Sequence, residues 1–515
     1  MAGYRVVTDL TVIFSSTISP PNCEWDPRIW HRLEKELYVH TSQQSAWLYV
    51  ASVNTKELSA KDLLVTDITV GVVSPGRSWE RRPCNIWILR SEFSDGTSQV
   101  VTEVDVLFGV DAVDPRSGWT LIEASLQLGV PPSVPVARLS VLKGRAKPNP
   151  RVSLQFKKDG TFNIVQISDT HMGTGVGVCR DAVDAHGEDL PESEADPLTV
   201  AFIENILNVE QPDLVVLTGD QVHHDVPDSQ SALFKAVDPI IKRRIPFAAV
   251  LGNHDSEGKF ALSRTVQMDI LQNLPFSLCE PGPENVDGIG NFSVQILAPA
   301  PSQFPLATLY FLDSHGQVGG TAGNPDYAPI QQSQIDWFRD TSQAQRSARE
   351  KHDNDSDFHL SLAFQHIPLP EFGDEGLSIH GGRRREPTES PRANYSFSFY
   401  DALVEERVSA LGCGHDHVND FCGLLPQQTL QGGNDNPEHS VWLCYGGGSG
   451  FGGYCSYGKK RFHRRMRVWQ LTSTGDLTTW MRVEYGTDRV SKLVLVEGGR
   501  VVNHLTNEIK TKAMQ

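Results

Sequence analysis

This sequence predicts an α/β fold preceded by a β-rich amino-terminal domain, and three observations carry that expectation. Four short apolar runs of buried-strand type end in polar residues. Amphipathic stretches with helical spacing separate the first three of them. Residues 1 to about 140 differ in character, with β-branched and aromatic runs divided by Gly, Pro, Ser and Asp.

In the middle of the chain the runs are Phe162-Asn-Ile-Val-Gln-Ile-Ser168, Asp213-Leu-Val-Val-Leu-Thr218, Ile245-Pro-Phe-Ala-Ala-Val-Leu251 and Leu360-Ser-Leu-Ala-Phe-Gln365. Their near-continuous hydrophobicity suits strands covered on both faces. Leu198, Phe202, Ile206 and Val209 predict one intervening helix, and Leu233, Val237, Ile240 and Ile241 a second. The 51 residues from Asp169 to Asp220, and the 33 from there to Asn253, fit strand-helix-strand crossovers.

Polar clusters follow directly: Asp169-Thr-His171, Gly219-Asp220, Gly252-Asn253-His254-Asp255 and His366, with Gly414-His415-Asp416-His417 further on. In open α/β sheets the carboxyl ends of strands are where ligands bind. A lone Asp-x-His reads as a turn and a lone Gly-Asp as a cap, but five clusters in one order supply enough oxygen and nitrogen ligands for two adjacent metal ions. The pair His415 and His417, two residues apart, projects to one side of an extended segment. Mixed imidazole and carboxylate donors suit manganese, iron or zinc better than calcium.

In these motifs the chain resembles the calcineurin-like metallophosphoesterases over roughly residues 160 to 470. It is most similar to a fungal branch typified by a dose-dependent cell-cycle regulator phosphatase and to plant proteins named as purple acid phosphatases. Leu217-Thr-Gly-Asp-Gln221, Tyr310-Phe-Leu-Asp-Ser-His315, His366-Ile-Pro-Leu-Pro370, Gly414-His-Asp-His-Val-Asn-Asp-Phe-Cys422 and Cys444-Tyr-Gly-Gly-Gly448 carry that likeness. The resemblance implies a four-layer β-sandwich flanked by helices and a dinuclear centre. Asp169, His171 and His417 would hold one metal, Asn253, His366 and His415 the other, with Asp220 bridging. It also implies attack by a bridging hydroxide, with His254 protonating the leaving alkoxide and Asp255 holding that imidazole or capping a turn. Arg180, His315 and Tyr445 are expected as phosphate or substrate contacts.

The purple enzymes carry a Tyr ligand three residues after the Asp of the second motif, where this chain has His223, and Asp-x-Gly in the first motif, where it has Asp169-Thr-His171. A ferric-tyrosinate centre is therefore not expected. His223 and His224 read as solvated loop residues, with contact at the rim of the site as the alternative, and Gly446-Gly-Gly-Ser-Gly-Phe-Gly-Gly453 as a tight loop close to the site.

Composition bounds the remainder. A net charge of −17 argues against a phosphate-backbone binding surface, so nucleic acid is not an expected partner. The basic run Lys459-Lys-Arg-Phe-His-Arg-Arg-Met-Arg467 reads as a solvated strand flank with some capacity for phosphorylated or acidic ligands. Eight cysteines without C-x-x-C spacing predict reduced thiols. The amino terminus makes a poor signal peptide and no segment has the ~20 apolar residues of a span. The expectation is a cytoplasmic protein, in which the sequons at Asn291, Asn354 and Asn394 have little meaning.

Four regions are expected: a β-rich module at 1–140, a linker at 141–159 overlapping the proline-rich and basic stretch Pro131 to Arg151, the phosphoesterase domain at 160–475, and a 476–515 extension holding a short hairpin. The module contains Leu48-Tyr-Val50 and Val65-Thr-Asp-Ile-Thr-Val70, which resemble β-prism modules of membrane-trafficking proteins, and it is read as a binder of another protein or a membrane surface. No internal repeat is expected. A chain starting near Arg151 is expected to keep activity on small esters, the equal alternative being that the module packs across the phosphoesterase sheet as a permanent lid. The functional expectation is a phosphatase acting on phosphoprotein or small-ester monoesters. The alternatives are a phosphodiesterase or nucleotide hydrolase on the same site, and a catalytically weak scaffold or regulatory binding protein.

Overall fold

The computed structural model describes residues 3–16, 25–41, 44–73, 76–93, 99–192, 194–321, 324–351, 358–392, 398–426 and 440–503. Cys23, Asn354 and Asn394 lie outside the described residues. The chain divides into two units: Met1–Pro150 with Thr174–Val176 and Val226–Asp238, and Arg151–Gly173 with Gly177–Asp225 and Pro239–Gln515.

The first unit repeats one pattern three times. Strands Arg5–Ser15, Trp30–Glu36 and Ser45–Asn54 form one antiparallel sheet; Leu63–Val70, Trp79–Arg82 and Ile86–Glu92 a second; Val101–Phe108, Trp119–Ser125 and Ala137–Lys143 a third. In each, the last strand of the trio lies in the middle. Leu10, Leu48, Ile68, Ile88, Val106 and Leu139, from all three sheets, share one buried core, which makes the unit a β-prism.

A sequence repeat underlies it, contrary to expectation. Val7-Thr8-Asp9, Val65-Thr66-Asp67 and Val101-Thr102-Glu103 each hold a register shift at the threonine. The Thr8 and Thr66 hydroxyls donate to the carbonyls of Ala51 and Leu89 on the central strands, at 3.4 and 3.1 Å, while the Thr102 hydroxyl, 3.2 Å from the Leu142 carbonyl, has that of Gly144 nearer at 2.6 Å. An inserted residue leaves the ladder incomplete. The hydroxyl restores one bond there, and the repeat of three residues is too short to stand out from β-rich composition.

The second unit is a sandwich of two sheets. Phe247–Val250, Leu214–Thr218, Thr161–Ile167, Arg465–Thr472, Leu477–Val483, Val490–Glu497 and Arg500–Val501 are neighbours in that order in a seven-stranded sheet. The eight-stranded sheet runs Leu154–Gln155, Phe292–Leu297, Pro305–Phe311, Leu360–Phe364, Ala410–Cys413, Trp442–Tyr445, Cys422–Leu424 and Ser378–Gly381. Ile164, Val216, Trp469, Leu309, Phe364 and Trp442 fill the space between them. Burying each such side chain contributes about 1.5–3 kcal/mol. Alternate residues Tyr310, Ala363 and Leu411 face outward and pack with Ile335 and Phe338 of helix Gln332–Glu350 and with Leu403 of helix Phe399–Glu405.

Several local expectations change. Helix Ala195–Glu210 forms, but its Val209 is exposed and Ile203 and Leu207 complete the buried face instead. The linker region contains structure: Ala137–Lys143 is a central strand, and Leu154–Gln155 pairs with Ile296–Leu297. Its prolines flank the strands and leave their ladder amides free to donate. The carboxyl-terminal strands are an integral edge of the seven-stranded sheet, not an appendage. Cys422 and Cys444 are joined by a disulfide, against the expectation of reduced thiols, because the antiparallel register of their strands sets them opposite each other. Cys84, Cys179, Cys279, Cys413 and Cys455 are not disulfide-bonded. Among the described residues no helix is long and apolar enough to cross a membrane.

Candidate metal centre

All the polar clusters meet at the carboxyl ends of the parallel strands. Asp169 and His171 follow Thr161–Ile167, Asp220 follows Leu214–Thr218, Asn253 follows Phe247–Val250, His366 follows Leu360–Phe364, and His415 and His417 follow Ala410–Cys413. Because these strands are parallel neighbours within each sheet, their ends lie side by side. The loops are then zipped together: Asp169 and His171 amides donate to the carbonyls of Gly219 and Asp220, both at 3.0 Å.

The glycines of the motifs are spacers for approach. A Cβ on Gly219, which has φ +89°, would sit 2.3 Å from Nδ1 of His366, and one on Gly252 would sit 2.1 Å from Oδ1 of Asp220. Asp169, His171, Asp220 and His415 themselves hold φ of 55, 45, 52 and 74°. Such non-glycine left-handed residues cost about 1–3 kcal/mol each and persist where the surroundings over-determine them, typically at functional sites.

Asp169, His171 and His417 form one buried group, and Asp220, His366 and His415 another, with the ligand atoms of each group within 4.8 Å of one another. Asn253 Oδ1 lies 3.2 Å from His366 Nε2, which adds it to the second group. A single oxygen of Asp220, Oδ2, is 3.3 Å from His366 Nε2 and 3.7 Å from His171 Nε2, between the two.

The donor chemistry fits metal ions. His366 Nδ1 lies 2.8 Å from the Thr218 carbonyl and His417 Nδ1 lies 2.7 Å from the Tyr454 carbonyl. Donation there places the proton on Nδ1 and turns the Nε2 lone pair inward, the usual support of a metal-bound histidine. His171 Nε2 and His417 Nε2 are 3.1 Å apart. Burial and then His417 hold the His171 imidazole well below its ordinary pKa. Burial opposes charge on His366, yet Asp220 overcomes it and pushes the imidazole up to about 9, so a cation held at its Nε2 would displace a proton there. Burial likewise raises Asp220, and His366, His254 and His171 outweigh it, holding the carboxylate well below its usual range. Converging lone pairs and an ionised bridging carboxylate form a cavity suited to cations.

His254 opens a one-turn helix beside the bridge, its amide donating to Asp220 Oδ1 at 2.9 Å. Asp255 does not hold its imidazole. Fully buried, Asp255 accepts from the amides of Asp220, Val222 and Gly252 at 3.0, 2.9 and 2.7 Å, and so acts as a clasp on two ligand loops. The acid near His254 Nδ1 is Glu257 Oε2 at 3.5 Å. The i,i+3 spacing of the two residues was the available signal for it.

The expected substrate contacts separate. Tyr445 is fully buried, and its phenol donates to Asp416 at 2.5 Å and Thr388 at 3.1 Å, so it braces the His415-Asp416-His417 turn and does not face a substrate. His315 is half-buried with Nε2 2.7 Å from Gln334 Oε1. Arg180 is exposed, and its charge helps lower the pKa of His223. His223 and His224 are not remote loop residues: their rings lie 5.7 Å from His171 and 5.2 Å from His254, respectively. Local composition could not show that the Asp220 loop folds them back over the ligands.

Three supports escaped the sequence reading. Arg264 donates to the carbonyls of Leu251 and Gly252 at 2.9 and 2.7 Å while paired with buried Asp313, fixing the Asn253 loop. Tyr327 sets its ring edge-on to His415 at 4.8 Å, with its hydroxyl donating to Glu389 at 3.1 Å. Arg464 and Arg467, in the run expected to be solvated, are buried and donate to backbone carbonyls, Arg464 to Gly450 and Gly453 of the glycine loop and Arg467 to Tyr445. That loop does lie on the site, with the Gly450 amide donating to the Asp169 carbonyl at 3.0 Å.

Comparison with known proteins agrees with this geometry. The chain is 35% identical to Phosphatase DCR2 of Saccharomyces cerevisiae over 74% of its own length and 64% of that protein, so it spans less than two thirds of that relative. It is 34% identical to Probable inactive purple acid phosphatase 28 of Arabidopsis thaliana, over 66% of this chain and 82% of that one, and 35% identical to Probable inactive purple acid phosphatase 29 of the same plant, over 62% and 78%. Residues 162–419, which contain every ligand described above, match the family model for calcineurin-like phosphoesterases. With that match and ligands converging at the strand ends, the chain belongs to the calcineurin-like phosphoesterase family.

Proposed function

We propose that this protein is a dinuclear metal-dependent phosphatase that hydrolyses phosphomonoesters, those of phosphoproteins among them. The observation that carries this is the position of Asp220 Oδ2 between the two ligand groups. Asp169, His171 and His417 would hold one ion and Asn253, His366 and His415 the other, with Asp220 shared. Two such ions, of manganese, iron or zinc, supply Lewis-acid charge and a water of lowered pKa for in-line displacement when bound.

The chain's own residues do the rest. His254, partly exposed beside the bridge, is placed to hold a phosphate oxygen and to pass a proton to the departing alkoxide, with Glu257 orienting its ring. Asp255 keeps the Gly219-Asp220 and Gly252-Asn253 turns together, so the ligands are set before substrate arrives. Arg180, whose charge acts on His223, is placed at the rim to meet an anionic ester. The same site could serve a diester, since nothing in the ligand set discriminates against one.

The second reading, a scaffold of weak activity, is favoured by the names of the plant relatives. One experiment decides between them: metal content and hydrolysis of nitrophenyl phosphate by the purified chain. The phosphatase reading expects about two ions per chain, and Asp220→Asn losing metal and turnover together. Full occupancy and normal turnover in that variant would sink the assignment.

A further inference from the structure

The phosphoesterase unit contains a second cavity, of about 840 Å³, and none of the metal-centre residues lines it. Its walls are the 183–189 loop, the turn from Gly382 to Arg385, the 459–465 run and residues of the last strands. Arg383, Arg385, Lys459, Arg461 and Arg465 face it together with only two carboxylates, Asp189 and Asp420. This local excess of cations stands in a chain whose overall charge is −17.

The carboxylates leave cationic capacity unspent. Asp420 is shared by Arg385, at 2.5 Å, and Arg465. Asp189 pairs with Arg461 at 2.5 Å from a largely solvated position, where screening makes the pair weak. Among the described residues, the side chains of Arg383 and Lys459 have neither a hydrogen-bond nor an ion-pair partner. The wall is also built rather than accidental. Gly382 has φ +77°, and a Cβ there would sit 2.1 Å from the Asp420 carbonyl oxygen, so the turn can press in and carry Arg383 and Arg385 to the rim. The amides of Arg383 and Arg385 donate to Asp420 and Asn419 at 2.8 and 2.7 Å, fixing it. Arg385 lies over the Phe462 ring at 5.4 Å, and Val183, Val483 and Val490 give the cavity an apolar component.

We propose that this cavity is a binding site for a small organic polyphosphate, held outside the metal centre. Guanidinium forks match phosphate oxygens two at a time. A lone phosphate would fill little of the volume and engage few of the five cations, whereas several phosphates on a compact carbon frame use both the charge and the apolar wall. This site does not depend on the hydrolytic reading of the metal centre.

The test is calorimetric titration of the full metal-loaded chain with inositol hexakisphosphate, at about 0.15 M ionic strength to suppress loose surface attraction, beside orthophosphate and a doubly phosphorylated peptide. The proposal expects one-to-one binding of the hexakisphosphate, far weaker orthophosphate, and a loss on the order of tenfold per cation removed in Arg383→Ala combined with Lys459→Ala. Nitrophenyl phosphate turnover should be unchanged in that variant. Lys459→Glu alone, at an exposed position, gives the same reading if the double variant does not fold. Absence of binding, equal affinity in the variants, or tighter binding of the peptide would overturn the proposal.

Discussion

The two units use polar residues at strands in opposite ways. In the amino-terminal unit, Thr8, Thr66 and Thr102 stand at strand irregularities and spend their hydroxyls on nearby backbone carbonyls. In the phosphoesterase unit, Asp169, Asp220, Asn253, His366, His415 and His417 stand just past strand ends and leave lone pairs directed at one another. A satisfied polar group maintains a fold, while convergent acceptors suit a cation between them. His171 Nε2 lies 3.1 Å from His417 Nε2, and His415 Nδ1 lies 3.3 Å from His366 Nε2.

The largest effect should come from breaking the boundary between the units. Residues 226–238 belong to the first unit, where Ser231 accepts from the Phe108 amide at 2.8 Å and Lys235, 3% exposed, pairs with Asp111 at 2.8 Å. A chain begun at Arg151 keeps Lys235 but removes Asp111. Stranding a buried charge costs about 3–5 kcal/mol, so this truncation should be insoluble or melt far lower. That replaces the expectation of an active fragment; a soluble fragment with normal turnover on a small ester would show the units to be separable.

Next comes a change confined to chemistry. His254→Ala should retain its metals and lose about 10²–10⁴ in rate, with a smaller loss on nitrophenyl than on alkyl phosphates because a good leaving group needs less protonation. Equal losses on both substrates would reduce His254 to an electrostatic role.

The repeat unit supplies the converse. Thr66→Val keeps shape and β-branching but removes one hydrogen bond, about 0.5–1.5 kcal/mol. Thermal melting should register it while turnover stays constant. A change in turnover without a change in melting would contradict the division of labour described here.

A further effect is pH-dependent and lies at the amino end of a central strand of the eight-stranded sheet. Burial, then the charge of Arg349, pushes His359 down to about 3 from an unfolded value near 6.5. The unfolded chain therefore takes up this proton first. The stability contribution is complete above about pH 6.5 and is lost as pH falls toward 3. His359→Asn should flatten the stability slope across that window, measured by denaturant unfolding at a series of pH values; an unchanged slope would mean that His359 is not held neutral.

Much of the phosphoesterase unit was legible in the chain because its signals are local. A continuous apolar run followed by Gly-Asp or Gly-Asn-His states both a buried strand and a ligand at its end, and residue spacing gives the crossovers. Local readings failed where the partner is distant in sequence. Asp255 was read as holding His254 or capping its own turn; it caps the turn at Gly252 and also serves the amides of Asp220 and Val222 across 35 and 33 residues. Tyr445 looked available beside a glycine loop, but sheet packing encloses it against Asp416.

By itself, then, the sequence determined the strand-terminal chemistry: which residue types end each strand, and that they suffice for two metals. Tertiary structure alone decided which side chains converge and which are spent on holding loops. It also decided that Cys422 meets Cys444 and that one basic run splits into buried struts and a cationic cavity wall. The physical reason is range. Apolar periodicity acts through neighbours in the chain, whereas convergence of charges and lone pairs depends on sheet order and register, which bring together residues up to hundreds of positions apart.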